Sequence, residues 1–276
     1  MRAVVLFLML LSNQDFIESV RILELQVSGH AAEGSEALLG CQFDMEGEEL
    51  YSVKWYKDGR EFYRYVPGGD PRTTRFPAPG VIVDLSRSSM NVVTLVHLKR
   101  ESAGVYRCEV SSDAPSFQLE SKEKHVAIYL LPEVGPTITG LEDKYNIGDT
   151  VTLNCTSPPS RPDAQLKWLL NGIPVPEEYV YGPWYKTTAE GNDAPFQTKL
   201  KLHFRITPDH FTNGMMTIMC QSIIAPLYNR EAHYTYHIKL PTPMQEPPQN
   251  AASLPSLPTT LIQLSLLLNT FYFLLL

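Results

Sequence analysis

Ser52-Val53-Lys54-Trp55-Tyr56-Lys57-Asp58-Gly59 sets a tryptophan in an alternating strand pattern that ends on a tight-turn dipeptide. Trp55 lies 14 residues after Cys41, and Cys108 follows Cys41 by 67. Gln165-Leu166-Lys167-Trp168-Leu169-Leu170-Asn171-Gly172 repeats the pattern: Trp168 lies 13 residues after Cys155, and Cys220 follows Cys155 by 65. A disulfide joining two sheets, with an indole packed beside it, is the core of an immunoglobulin sandwich. Tyr106 stands two residues before Cys108, the tyrosine-corner spacing, and Gly104 precedes it. The two triples use all four cysteines of the chain. The spacing therefore predicts an all-β protein of two tandem immunoglobulin-like β-sandwiches. Cys41 pairs with Cys108 and Cys155 with Cys220, and Trp55, Tyr106 and Trp168 are core.

The length, 276 residues, suits two such domains with processing segments at the ends. An even cysteine count at sheet-bridging spacing points to an oxidising compartment. No Cys-x-x-Cys or Cys/His cluster stands at zinc spacing, so no metal or other cofactor is expected. A formal net charge of −7 speaks against nucleic acid, which selects a basic stripe.

Residues 1–19 read as a signal peptide, with Met1-Arg2 ahead of an apolar run from Ala3 to Leu11. Cleavage after Ser19 or near Ser12 are both open. At the other end, Asn250-Ala251-Ala252-Ser253 supply small residues, Leu254 to Thr260 an uncharged spacer, and Leu261 to Leu276 an apolar tail. Those are the parts of a glycolipid (GPI) anchor signal, with attachment expected at Asn250 and residues 251–276 removed. A membrane span wants about 20 apolar residues with basic residues beyond them, and it stays the alternative. Residues 241–250 are proline-rich and read as a stalk, either semi-rigid or a plain tether.

The first domain is expected over residues 20–131. Glu36–Phe43 carries Cys41, and Arg60–Val66 returns after the Asp58-Gly59 turn, an extra strand that suggests a variable-type domain. A two-residue turn pairs Lys57 with Arg60, so strict alternation sets Trp55 opposite Phe62 and Lys54 opposite Tyr63. With Trp55 inward, Lys54, Tyr56, Glu61, Tyr63 and Tyr65 share the outer face. Arg107 and Glu109 join them from the neighbouring strand. Tyrosine and arginine are enriched at the energetic centres of interfaces, so this face is the expected partner-binding surface. A solvated sheet face on which tyrosines merely favour strands is the plainer alternative. Arg64 would point inward under the same alternation, which signals a slip of phase near the end of that strand.

A stiff join, Leu131-Pro132-Glu133-Val134-Gly135-Pro136, leads to the second domain, expected over residues 137–240. Ile218 stands where a tyrosine corner would be, so this domain is divergent. Asn154-Cys155-Thr156 is the chain's one Asn-x-Ser/Thr sequon and makes Asn154 the candidate N-glycosylation site. His233 and His237 can share a strand face, but nothing else converges on them as a metal site.

Leu50-Tyr51-Ser52-Val53-Lys54-Trp55-Tyr56-Lys57-Asp58-Gly59-Arg60-Glu61-Phe62-Tyr63-Arg64-Tyr65 closely resembles the beaten path (Beat) family of arthropod neural cell-surface proteins. So do Phe76-Pro77, Pro79-Gly80-Val81, Arg107-Cys108-Glu109-Val110-Ser111 and Ala114-Pro115-Ser116-Phe117-Gln118. In the second domain Ile147-Gly148-Asp149, Asn154-Cys155-Thr156 and Trp168 with Asn171-Gly172 match as well. The resemblance spans about residues 20 to 240. It implies a variable-type first domain, a secreted or membrane-tethered protein and heterophilic binding to transmembrane partners of the sidestep family. The implied role is axon guidance: modulation of adhesion between axons, or between axon and target.

Nothing in the chain suggests catalysis: it has no Gly-x-Ser-x-Gly, His-Glu-x-x-His or phosphate-cradling glycine loop. Two other binding classes compete with the guidance receptor. A homophilic adhesion protein predicts self-clumping, and a soluble immune-type receptor predicts release into body fluid.

Overall fold

A computed structural model describes residues 19–188, 190 and 194–238. The expected signal peptide up to residue 18, the stalk, the tail and Asn250 lie outside the described residues.

The first half contains β1 (Arg21–Gln26), β2 (His30–Ala32), β3 (Ala37–Asp44), β4 (Leu50–Lys57), β5 (Arg60–Tyr65), β6 (Thr73–Arg75), β7 (Val83–Asp84), β8 (Val92–Leu95), β9 (Gly104–Ser112) and β10 (Leu119–Tyr129). They form a back sheet in the order β1-β3-β8-β7 and a front sheet in the order β2-β10-β9-β4-β5-β6. β2 pairs with β10 in parallel, and every other pair is antiparallel. Two strands beyond β4 on the front sheet are the mark of a variable-type domain.

The second half contains β11 (Thr137–Thr139), β12 (Thr150–Thr156), β13 (Gln165–Leu170), β14 (Ile173–Pro174), β15 (Val180–Thr187), β16 (Phe196–Arg205), β17 (Met215–Ile224) and β18 (Tyr228–His237). Its sheets run β11-β12-β16-β15 and β14-β13-β17-β18. Here the strand after the tryptophan hairpin has two residues, and the chain then crosses to the opposite sheet.

Alternation along each strand buries one row of side chains between the sheets. Cys41, Trp55, Cys108 and Tyr106 lie in the first core, and Cys155, Trp168, Cys220 and Ile218 in the second. Both disulfides are formed, Cys41 to Cys108 and Cys155 to Cys220. The Tyr106 hydroxyl donates to the Ser102 carbonyl at 2.7 Å, closing the tyrosine corner. In the second core the Trp168 indole donates to the Leu200 carbonyl at 3.3 Å.

Both hairpins turn through two residues at positive φ, Asp58-Gly59 and Asn171-Gly172, as the right-handed twist of paired strands requires. The Asp58 carboxylate accepts the Val105 amide at 2.8 Å and contacts the Lys57 ammonium at 2.6 Å. Both contacts hold its pKa below the ordinary carboxylate value, the lysine contact most. Gly104 is required beside it, because a Cβ there would stand 2.5 Å from both Asp58 carboxylate oxygens. At the join, Leu130 and Arg161 exchange backbone hydrogen bonds of 2.8 and 3.0 Å, and Tyr129 and Leu131 pack against Ala164, Ile224 and Tyr228.

Candidate functional site

The outer face of the front sheet is built from four adjacent strands, β10, β9, β4 and β5. Lys54 pairs with Glu109 and Tyr56 with Arg107, placing all four side chains on one side of β4 and β9. Glu109 sits low among them and is buried. The Tyr56 hydroxyl donates to Glu109 Oε1 at 3.0 Å, and Lys54 Nζ lies 3.6 Å from the same oxygen. Arg107 lies 3.7 Å from Glu109 Oε2 and stacks its guanidinium 4.4 Å from the centroid of the Tyr56 ring. A carboxylate taken out of water is thus held by one phenol and two cations, which satisfies it without neutralising the face. Burial, and then the bond to Glu109, push the Tyr56 hydroxyl up to about 12.

The next strand departs from strict alternation. Tyr56 pairs with Glu61 as expected, but Trp55 pairs with Tyr63, leaving Phe62 as an additional residue in β5. This is a β-bulge, and it reverses the phase of every residue after it. Phe62 and Tyr63 both point inward: Tyr63 is 0% exposed, and its hydroxyl donates to the Ser89 carbonyl at 2.9 Å. The expectation of Tyr63 on the outer face is therefore corrected. Tyr65 is corrected with it, being half-buried and packed against the first core opposite Val53. Arg64 takes the outward position instead, opposite Lys54. It forms a two-pronged pair with Glu61 at 2.7 and 2.8 Å and lies 5.5 Å over the Phe76 ring.

Sequence reasoning also missed β10's part. Ser121 lies opposite Glu109 and Glu123 opposite Arg107, so both belong to this face. Ser121 through His125 are polar without interruption, so only pairing with β9 sets which of them look outward. At one end of the sheet, Tyr51, Phe117 and Leu119 are exposed, Phe117 at 73%. The loop carrying Phe117 is tied down: the Asp113 amide donates to the Glu49 carbonyl at 2.9 Å, and the Ser116 hydroxyl to Glu48 Oε2 at 2.7 Å. The face therefore joins a balanced charge network to an apolar rim on a fixed loop, a composition suited to binding a protein surface. Among the described residues no group of three or more His, Cys, Asp or Glu side chains is placed to hold a metal ion.

Asn154, the candidate glycosylation site, lies on the other sandwich. Its strand neighbour Cys155 points into the core, so Asn154 points out of the β11-β12-β16-β15 sheet.

These two halves are immunoglobulin sandwiches, the first of variable type. No protein-family model matches the chain. Over 147 residues, half of this chain and 37% of the relative, it is 30% identical to the endothelial cell-selective adhesion molecule of Rattus norvegicus. It is 29% identical to the Mus musculus protein of the same name over 152 residues, with the same coverage. The chain thus spans 37% of the length of these curated relatives and is homologous to immunoglobulin-superfamily cell adhesion molecules over the matched stretch. Among solved structures, murine CEACAM1b superimposes with a TM-score of 0.50 at 18% identity, covering 78% of this chain and 99% of that one. That likeness is one of fold.

Proposed function

We propose that this chain is a cell-surface recognition protein whose first sandwich binds a protein ectodomain through the outer face of β10, β9, β4 and β5. The observation that carries this reading is the sunken Glu109 ringed by Lys54, Tyr56 and Arg107, beside the exposed Phe117 rim. The charges set register and partner choice, and the aromatic groups supply contact area. The names of the homologues, adhesion molecules rather than enzymes, support the same class.

The closer reading is a neuronal receptor that binds sidestep-like transmembrane partners heterophilically and so modulates axon adhesion, guidance or synaptic target choice. It rests on the Leu50–Tyr65 hairpin and the Ala114–Gln118 segment, whose residues resemble the Beat family. In this reading residues 1–19 are removed, residues 20–131 and 137–240 form the two domains, and 241–250 are the stalk. Asn250 carries a glycolipid anchor, with a secreted form as the variant, and Asn154 carries a glycan. Among the described residues no helix is long and apolar enough to cross a membrane.

The test is binding of the purified ectodomain, residues 20–249, to a panel of sidestep-family ectodomains and to itself. Selective binding to one panel member, weakened by Arg107→Ala, supports the guidance-receptor reading. Self-binding alone moves the function to homophilic adhesion. Binding that Arg107→Ala leaves unchanged removes the front face as the site.

A further inference from the structure

The second sandwich carries an aromatic pair on the same face as the sequon. Register across β11, β12, β16 and β15 gives two rows: Thr139, Asn154, Lys201, Tyr181 and Thr137, Thr156, Lys199, Trp184. Directly paired residues share a face, so Tyr181 and Trp184 stand on the side from which Asn154 projects. Both are well exposed, at 47% and 50%. Tyr181 is held beneath Lys201, whose ammonium lies 5.8 Å from the ring centroid, and its ring meets His203 edge-on at 6.1 Å. Trp184 lies close over the backbone of Gly182, where a Cβ would stand 2.9 Å from the indole. Two inter-strand steps separate Asn154 from Tyr181, about 10 Å at the usual strand spacing.

We propose that the N-linked glycan of Asn154 lies across this sheet, with its inner sugars seated on the rings of Tyr181 and Trp184. The inference rests on the glycoprotein reading above. Attachment forms a bond from Asn154 Nδ2 to the anomeric carbon of a lipid-linked oligosaccharide. The bond from that carbon to the lipid pyrophosphate breaks, the amide gives up one proton, and the lipid pyrophosphate leaves. The inner sugars of an N-linked glycan hold their hydroxyl and acetamido groups around the ring edge and present axial C–H groups on the ring faces. The C–H faces suit the electron-rich faces of the two aromatic rings, and Lys201, Lys199 and Thr156, on β16 and β12, suit the hydroxyls. The glycan is the occupant this face favours because its attachment point is on the sheet itself, within reach of the first sugars and aligned with Tyr181 in one row. A seated glycan also covers exposed aromatic surface beside β15, the open edge of the sheet, where another chain would otherwise pair.

The test uses the full chain expressed through the secretory route of animal cells. Glycopeptide mass at Asn154 reads occupancy. Hydroxyl-radical footprinting then compares the glycosylated protein, the same protein after enzymatic removal of the glycan, and Thr156→Ala. Tyr234, 48% exposed and on the opposite sheet, is the internal reference. The expected result is a several-fold rise in Trp184 and Tyr181 oxidation on losing the glycan, with Tyr234 unchanged. An unoccupied Asn154 overturns the glycoprotein reading and this inference with it. An occupied site with unchanged oxidation of Trp184 overturns the seating alone. Protection that persists without the glycan and tracks self-association by sedimentation assigns the face to a second copy instead.

Discussion

The two tryptophan hairpins begin alike and end differently. Each places a core indole in the strand, turns on two residues of positive φ and starts back along its partner. After Asp58-Gly59 the chain continues as Arg60–Tyr65, six residues that pair with β4 from end to end except at the bulged Phe62 and recruit β6 beyond them. After Asn171-Gly172 it meets Pro174 and Pro176 within four residues. Proline has no amide to donate, so the ladder stops at two residues and the chain crosses to the other sheet as β15. The difference shows where recognition surfaces come from. The same core supports a broad front sheet with a charged face in the first sandwich, and a narrow one in the second. The exposed pair Tyr181 and Trp184 of the second sandwich lies on the opposite sheet, next to its sequon.

The comparison breaks most severely if the shared core is not the common support. Replacing both cysteines of either disulfide by serine removes a cross-link that closes a loop of 67 or 65 residues. Each double variant is expected to lose about 4 kcal/mol in denaturant unfolding on the loop-entropy account. A loss confined to one sandwich would show that the cores are not equivalent. The bulge comes next. Tyr63→Ala truncates a fully buried ring and should cost about 3 kcal/mol, whereas Tyr63→Phe removes only the bond to Ser89 and should cost about 1 kcal/mol. A neutral Tyr63→Ala would return this residue to the outer face. Tyr106→Phe removes a buried hydrogen bond for which Ile218 has no equivalent, and an effect of about 1 kcal/mol is expected from the first sandwich alone.

The smallest effect, visible only at alkaline pH, is that of the perturbed tyrosines. Burial raises the Tyr63 hydroxyl to about 12, and Tyr56 reaches about 12 through burial and then its bond to Glu109. Burial also lifts Tyr236 of the second sandwich to about 12. The folded state holds these protons more tightly than the unfolded chain, whose tyrosines titrate near 10. Their contribution is complete below pH 10 and is lost as pH rises through 12. Absorbance of tyrosinate during an alkaline titration should therefore lag behind that of the unfolded protein in both sandwiches, and Tyr56→Phe should remove part of the lag.

The four cysteines, the two core tryptophans and the hairpin turns were legible because each depends on short spacings or on the φ demands of a dipeptide. Lys54, Tyr56, Glu61, Arg107 and Glu109 were legible for a similar reason: alternation holds from Trp55 and Cys108 for a few residues. Tyr63 and Tyr65 were not, because one additional residue at Phe62 exchanges the two faces. The signal was present in Arg64, which unbroken alternation would have buried, and in the consecutive aromatics Phe62-Tyr63 that both fill the core. Ser121 and Glu123 carry no apolar neighbours to mark their phase. β15 was missed altogether, since Gly182 and Pro183 interrupt its pattern and its partner β16 supplies the register.

The most direct measurement of the central claim compares two single substitutions by surface plasmon resonance on the partner selected from the sidestep-family panel, or on a second copy of this chain. Arg107→Ala alters the front face of the first sandwich, and Lys201→Ala alters the outer face of the second. The account predicts that Arg107→Ala weakens binding about tenfold, the scale of an interface hot spot, with the protein still cooperatively folded, while Lys201→Ala binds as the unaltered protein does. Equal binding by Arg107→Ala with loss in Lys201→Ala would contradict it and move recognition to the second sandwich.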